Sequence, residues 1–104
     1  MDRNGLILVM GGIAADILVS PKTGLKLGTD VPAVIQVCPG GTAANFGFWC
    51  SLLGQESGLI GAIGQDSLAD IALSDLNEAG VHVFVESHQN LMTACIINLV
   101  SPSG

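Results

Sequence analysis

Basic side chains are almost missing from this 104-residue chain. Arg3, Lys22 and Lys26 are the only three, against nine acids, and the formal net charge is −6. The three bases form no cluster, so the chain lacks the positive patch that holds nucleic acid. Any cation that neutralises a bound nucleotide must come from outside these residues or be Mg²⁺. Charge of either sign is scarce at 12%, while 49% of the residues are hydrophobic. That composition is too apolar for a disordered chain and leaves little material for a polar surface. Part of the apolar surface is therefore expected to be covered, either by self-association or by a missing C-terminal part.

Other absences narrow the reading further. No stretch reaches the roughly 20 apolar residues of a membrane helix. Arg3 followed by Leu6–Met10 imitates the start of a signal peptide, but Gly11, Gly12 and Asp16 break the apolar run too early. A cytoplasmic protein with no membrane partner is the expectation. Cys38, Cys50 and Cys95 are an odd number, each in an apolar segment, with no C-x-x-C pair and no His–Cys cluster. They fit reduced, buried thiols and no metal site. Cys38 has no evident partner base, which argues against a catalytic role. There are no internal repeats and no low-complexity tract, and the length fits one domain with a real core.

The pattern that is present alternates strands with helices. Leu6–Met10 reads as a parallel strand buried on both faces. Ile13–Val19 is extended, with Asp16 its only charge, and Ser20–Pro32 is a loop or lid connection. Val34–Val37 is a short strand. Thr42–Leu53 is apolar nearly all round and implies a buried helix with Phe46, Phe48 and Trp49 in the core, closed by Gly54. Gly58–Ile63 is a strand. Ser67–Ala79 is a helix with capping-box spacing from Ser67 to Asp70, ended by Gly80. Val81–Val85 alternates as a strand, Glu86–Asn90 is a polar turn, and Met92–Val100 is a long strand. The class is α/β with a parallel sheet. Ser101-Pro102-Ser103-Gly104 is a turn signal with no returning strand after it.

The segment Pro39-Gly40-Gly41-Thr42-Ala43-Ala44-Asn45-Phe46 carries the chemistry. A strand feeds a Gly-Gly turn that opens an apolar helix holding one polar residue, Asn45. Glycines let a backbone approach a ligand closely, and a helix start offers free N–H groups to hydroxyl or anionic oxygens. A buried Asn there can donate and accept hydrogen bonds. Read alone, the segment is equally a tight strand-to-helix turn with a satisfied Asn. Asp16 is either an outward-facing strand residue or a carboxylate held for a ligand. His82 and His88 read as surface or strand histidines.

Five segments share an order and spacing. They are Gly11-Gly12-Ile13-Ala14-Ala15-Asp16, Gly40-Gly41-Thr42-Ala43-Ala44-Asn45, Leu53-Gly54, Gly61-Ala62-Ile63-Gly64-Gln65-Asp66 and Leu76-Asn77-Glu78-Ala79-Gly80-Val81. Together they resemble the N-terminal part of a ribokinase-like (PfkB-type) carbohydrate kinase, from about Leu6 to Gly104. The resemblance implies a ribokinase-like fold: a partial Rossmann-like parallel sheet flanked by helices, with a small β lid. Residues 1–104 would be the sugar-binding N-terminal fragment of that fold.

The resemblance implies that Asp16 accepts sugar hydroxyls, that backbone N–H groups around Gly40 and Gly41 hold another, and that Asn45 holds a third. Gly61, Gly64 and Asp66 would be structural, as turn glycines and a cap beside the pocket. Thr93 would begin the lid strand, as a pocket neighbour or as a cross-strand threonine. Ala14 and Thr42 stand where ribokinases often carry Asn and Lys, which puts ribose in doubt. The full-length enzyme would use ATP and Mg²⁺ to phosphorylate a small sugar, sugar acid or nucleoside. No P-loop is present, and neither is the family's later Gly-Ala-Gly-Asp segment with its general base. This chain alone is therefore expected to hold no catalytic residue, nucleotide or metal. The alternative is a non-catalytic sugar-binding or oligomerisation module with a kinase-like half-fold.

Overall fold

The computed structural model describes residues 5–103; Arg3 and Gly104 lie outside the described residues. Eight elements follow in order: β1 (Ile7–Met10), β2 (Ala14–Pro21), β3 (Ala33–Gly40), α1 (Thr42–Leu52), β4 (Ser57–Gly64), α2 (Ser67–Glu78), β5 (His82–His88) and β6 (Ala94–Leu99). They build two three-stranded sheets. The first runs β1-β4-β5 and is wholly parallel, as β-α-β crossovers require. The second runs β3-β2-β6, with β2 antiparallel to β3 and parallel to β6. This is the expected division into a parallel body sheet with helices and a small lid-like sheet.

Alternation along the body strands places the core. Val9, Leu59 and Val83 stand in register across β1, β4 and β5. Leu59 is fully buried, and Val9 and Val83 pack against the same cluster as Ala43 and Ala44 of α1 and Ala69, Ala72 and Leu76 of α2. Both helices therefore cover one face of the sheet. Each helix ends in the same way. Gly54 and Gly80 take positive φ (88° and 80°), and the following N–H groups of Gln55 and Val81 reach back to the Cys50 and Leu76 carbonyls. This is the Schellman pattern, and at α2 its apolar contact is the buried pair Val81 and Leu76.

Several sequence expectations change here. Leu6–Met10 is not buried on both faces: Val9 alone is partly buried, and Leu8 and Met10 are exposed on the opposite face, with Phe84 beside them across the sheet. No helix among the described residues covers that side. Helix α1 is not buried all round. Its inward face is small (Ala43, Ala44, Gly47), which lets the backbone come close enough for the Ser57 hydroxyl to donate to the Gly47 carbonyl at 2.7 Å. Phe46 and Trp49 point outward at 55% and 59% exposure, and only Phe48 is partly buried. β3 extends through Pro39 to Gly40, β5 extends into the expected turn, and β6 is shorter than the expected Met92–Val100. The cap of α2 is Asp66 rather than Ser67: its side chain accepts from the Ala69 N–H.

The radius of gyration is 16.5 Å, against about 13 Å for a compact chain of 100 residues. The excess comes from a plate-like shape with two bare apolar surfaces, the open face of the body sheet and the lid-like sheet, where Val34, Ile35, Ile97 and Leu99 are exposed. Each large side chain left exposed forgoes about 1.5–3 kcal/mol of burial. The isolated chain is expected to self-associate and to bind an apolar dye, as read by size-exclusion chromatography with light scattering. A cooperative monomer that ignores the dye would contradict this.

Candidate functional site

Asp16 lies in the middle of β2, the central strand of the lid-like sheet, between Cys38 of β3 and Ile96 of β6. Its carboxyl group leans over Gly40, two residues along β3 from its register partner. A Cβ on Gly40 would overlap the Asp16 carboxyl carbon and both of its oxygens. The missing side chain is therefore what makes room for this carboxylate. Asp16 Oδ1 is buried and has no hydrogen-bond partner among the described residues. An acceptor removed from water and left unpaired is costly, and hydroxyl or N–H donors would complete it.

Two glycines shape the adjoining turn. Gly41 precedes α1 at φ 101°, and a Cβ there would overlap the Gly12 carbonyl. The Ala44 N–H donates to that same carbonyl at 3.3 Å. The β1–β2 connection and the start of α1 are thus pressed together, backbone to backbone. No side chain caps α1. Its positive end, with the N–H groups of the first turn, adjoins the Gly40–Gly41 turn under Asp16.

Asn45 is placed differently from the sequence expectation. It is exposed rather than buried, and it lines a cavity of about 130 Å³ with Pro39, Phe48, Trp49 and Asp75. The structure thus brings Asp16 and Gly40 into contact and sets Gly41 beside them, while Asn45 sits one turn into α1 in a groove that Asp16 does not line. A larger and open cavity, about 480 Å³, lies elsewhere, between α2 and β5, with Asp66, Asp70 and Ser87 in its walls. Its volume does not mark it as the ligand site. Its carboxylate Asp66 is already satisfied, whereas Asp16 Oδ1 is not.

Sequence reading missed the partner of Asp66. Its Oδ1 accepts from the Ala69 N–H at 2.9 Å and from the Thr93 hydroxyl at 2.7 Å, and its Oδ2 accepts from the Thr93 N–H at 2.9 Å. The Thr93 hydroxyl oxygen accepts from the Gly64 N–H at 3.0 Å. Thr93 is buried, and it serves neither as a pocket wall nor as a cross-strand threonine. The available signal was one threonine entering an otherwise apolar run. The Thr93 hydroxyl above all, and then its N–H, hold the Asp66 carboxyl below the usual carboxylate range against some opposing desolvation.

Lys22 and Lys26 are exposed in the β2–β3 loop, away from the Gly40–Gly41 turn, and among the described residues no group of three His, Cys, Asp or Glu side chains could hold a metal. Among the described residues no helix is long and apolar enough to cross a membrane. His82 and His88 make exposed contacts to Glu56 at 3.4 Å and Glu86 at 3.3 Å, and His82 also stacks on Phe84.

Comparison with known proteins agrees with the fold. Residues 9–102 match the profile of the pfkB family carbohydrate kinase. The chain is 26% identical over 83 residues to the pseudouridine kinase of Escherichia coli, which covers 80% of the chain and 26% of that protein. Among solved structures, it is similar to a carbohydrate kinase from Agrobacterium tumefaciens, with TM-score 0.84, 24% identity, and 95% of this chain matched to 32% of that one. It is also similar to the Arabidopsis thaliana ribokinase complexed with ribose and ATP, with TM-score 0.83, 26% identity, and 95% of this chain matched to 33% of that one. The chain thus spans about a third or less of the length of these relatives.

Three outcomes follow for this site. Gly41→Ala forces a Cβ into backbone at positive φ and is expected to cost about 1–3 kcal/mol or more of stability. Gly40→Ala meets only the movable end of Asp16, so it should leave the fold intact and displace the carboxylate, which the Asp16 side-chain NMR resonance would report. Because the Asp66 pKa is lower folded than unfolded, its stabilisation is complete above about pH 4 and fades as the pH falls through the folded value. Thermal midpoints across that range should fall less steeply with acid in Asp66→Asn than in the parent chain.

Proposed function

The chain belongs to the pfkB family of carbohydrate kinases, by a match that spans most of its length, and from that premise we propose that it is the N-terminal, acceptor-binding part of an ATP-dependent kinase acting on a small sugar, sugar acid or nucleoside. The observation that carries this reading is the buried, unpartnered Asp16 Oδ1 above Gly40. A carboxylate accepts several O–H bonds at once, and the N-terminal end of α1 lies next to it for a further oxygen. Asp16, Gly40 and Gly41 would hold the hydroxyls, with Asn45 reaching in from the first turns of α1. Ala14 is buried and presents only a methyl group where a polar contact to ribose would be useful, so a sugar other than free ribose is favoured. The relation to a pseudouridine kinase supports keeping nucleosides within the substrate class.

In this reading the chain's residues bind and orient the acceptor and exclude water beneath it. ATP and Mg²⁺, when bound to the whole enzyme, supply the phosphoryl group and its charge neutralisation. The base and the phosphate cradle belong to parts of a longer protein, since the relatives are about three times as long. The setting is cytoplasmic, which the free thiols of Cys38, Cys50 and Cys95 support.

Titration of the chain with ribose, sugar acids and nucleosides, followed by amide NMR shifts, is expected to move Gly40, Gly41 and their neighbours for at least one compound. Asp16→Asn should weaken that binding roughly ten- to a hundredfold, the equivalent of one charge-assisted hydrogen bond. No sugar-dependent ATP turnover is expected from this chain alone. Binding that ignores Asp16, or turnover by the chain that vanishes in Asp16→Ala, would overturn the proposal.

A further inference from the structure

The backbone passes between the two sheets three times: through Gly11–Ile13 between β1 and β2, through Gly41 between β3 and α1, and through residues 89–93 between β5 and β6. The first two crossings lean on each other through the Gly12 carbonyl, which meets both Gly41 and the Ala44 N–H. They are built around glycine, and the first is anchored by the Ile13 side chain, which is buried in the core. The third crossing is held differently. Thr93, its last residue, gives both its N–H and its hydroxyl to Asp66, at 2.9 and 2.7 Å, and takes the Gly64 N–H at 3.0 Å. Gly64 permits this, since a Cβ there would overlap the Leu91 carbonyl and lie 2.6 Å from the Thr93 nitrogen.

We propose that Asp66 and Thr93 form a clasp that sets the orientation of the lid-like sheet on the body and, through β6, the position of Asp16 over Gly40. The next residue after Thr93 is Ala94, which pairs with Ala14, and Asp16 pairs with Ile96. The clasp therefore fixes the near end of the strand against which the Asp16 strand is registered. Asp66 is anchored in turn, because its Oδ1 also caps α2 through Ala69. One carboxylate ties a body helix, the end of a body strand and the entry of a lid strand. Asp66 and Thr93 are positioning residues: they touch neither Asp16 nor the proposed sugar, and act through strand register. Only the ligand-binding readout below rests on the reading of Asp16 as a sugar contact.

The test compares the full chain with Thr93→Val, which keeps the shape and removes the hydroxyl, Thr93→Ser, which restores it, and Asp66→Asn, which can still cap Ala69 but turns an amide N–H₂ towards Thr93. Hydrogen exchange by NMR is expected to accelerate at least tenfold at β2 and β6 amides in Thr93→Val and Asp66→Asn. Exchange at Leu59 and in α1 should stay near the parent rate, and Thr93→Ser should return the lid-like sheet to it. The Asp16 side-chain carboxyl resonance and the Gly40 amide should shift in the first two variants and not in Thr93→Ser. Equal acceleration in both sheets would reduce the contacts to general stabilisation and overturn the proposal, as would an unchanged lid-like sheet or an unmoved Asp16 resonance. If Thr93→Val does not fold, Asp66→Asn and Thr93→Ser decide the same comparison. Titration with pseudouridine and D-ribose runs alongside. If neither binds the parent chain, the acceptor-site reading fails, while exchange and the Asp16 resonance still decide the clasp.

Discussion

The contact of Gly41 with the Gly12 carbonyl is the constraint from which the site follows. Two backbone segments touch at a distance that leaves no room for a side chain on Gly41, and its φ of 101° is one that other residues reach only with strain. This approach brings the end of β3 under β2, and so brings Gly40 under Asp16. It also turns the chain directly from the lid-like sheet into α1. The helix therefore starts beside an acidic side chain rather than in solvent. A carboxylate near a helix N-terminus is electrostatically favoured, and here no side chain of the helix competes for that end.

The body of the molecule is organised by residue size more than by polarity. Helix α1 is apolar apart from Thr42, Asn45 and Ser51, yet only Ala43, Ala44 and Gly47 are buried. Small side chains let the helix axis approach β1 and β4, and that approach admits the Ser57 hydroxyl to the Gly47 carbonyl. The large Phe46 and Trp49 are left outward, and Trp49 packs edge to face at 5.9 Å with the partly buried Phe48. The same division runs through the body sheet: Leu59 is sealed on one face, and Leu8, Met10 and Phe84 are open on the other.

Much of this was legible in the residue order. Apolar runs alternating with helical stripes, punctuated by Gly54 and Gly80, place every strand and helix, and the spacing of the glycine-rich segments identifies the family. The orientation of α1 was not legible, because a helix without a polar face carries no sign of which side faces the sheet. Asn45 and Trp49 were misplaced towards the interior for that reason. The Asp66–Thr93 pair escaped for a different one. Its members lie 27 residues apart, and a hydrogen bond across that separation leaves no periodicity to read. Asp16 was the reverse case, a lone charge in an apolar strand whose accommodation is explained only when Gly40 is seen beneath it.

The strand order of the lid-like sheet also has a bearing on how the molecule is made. The pairing of β2 with β3 joins near neighbours in the chain, but Ala14 of β2 meets Ala94 of β6, about 80 residues later. Local pairings form readily, while distant ones wait on the closure of a long loop. During synthesis the β2–β3 hairpin therefore emerges first, with one long edge of β2 unpaired and one face, that of Ile17, Val19, Ile35 and Val37, apolar. It keeps that open edge until two helices and two further parallel strands have followed it. The last strand both completes the sheet and withdraws its most aggregation-prone edge, so the interval before β6 arrives is the one in which a nascent chain most needs shielding.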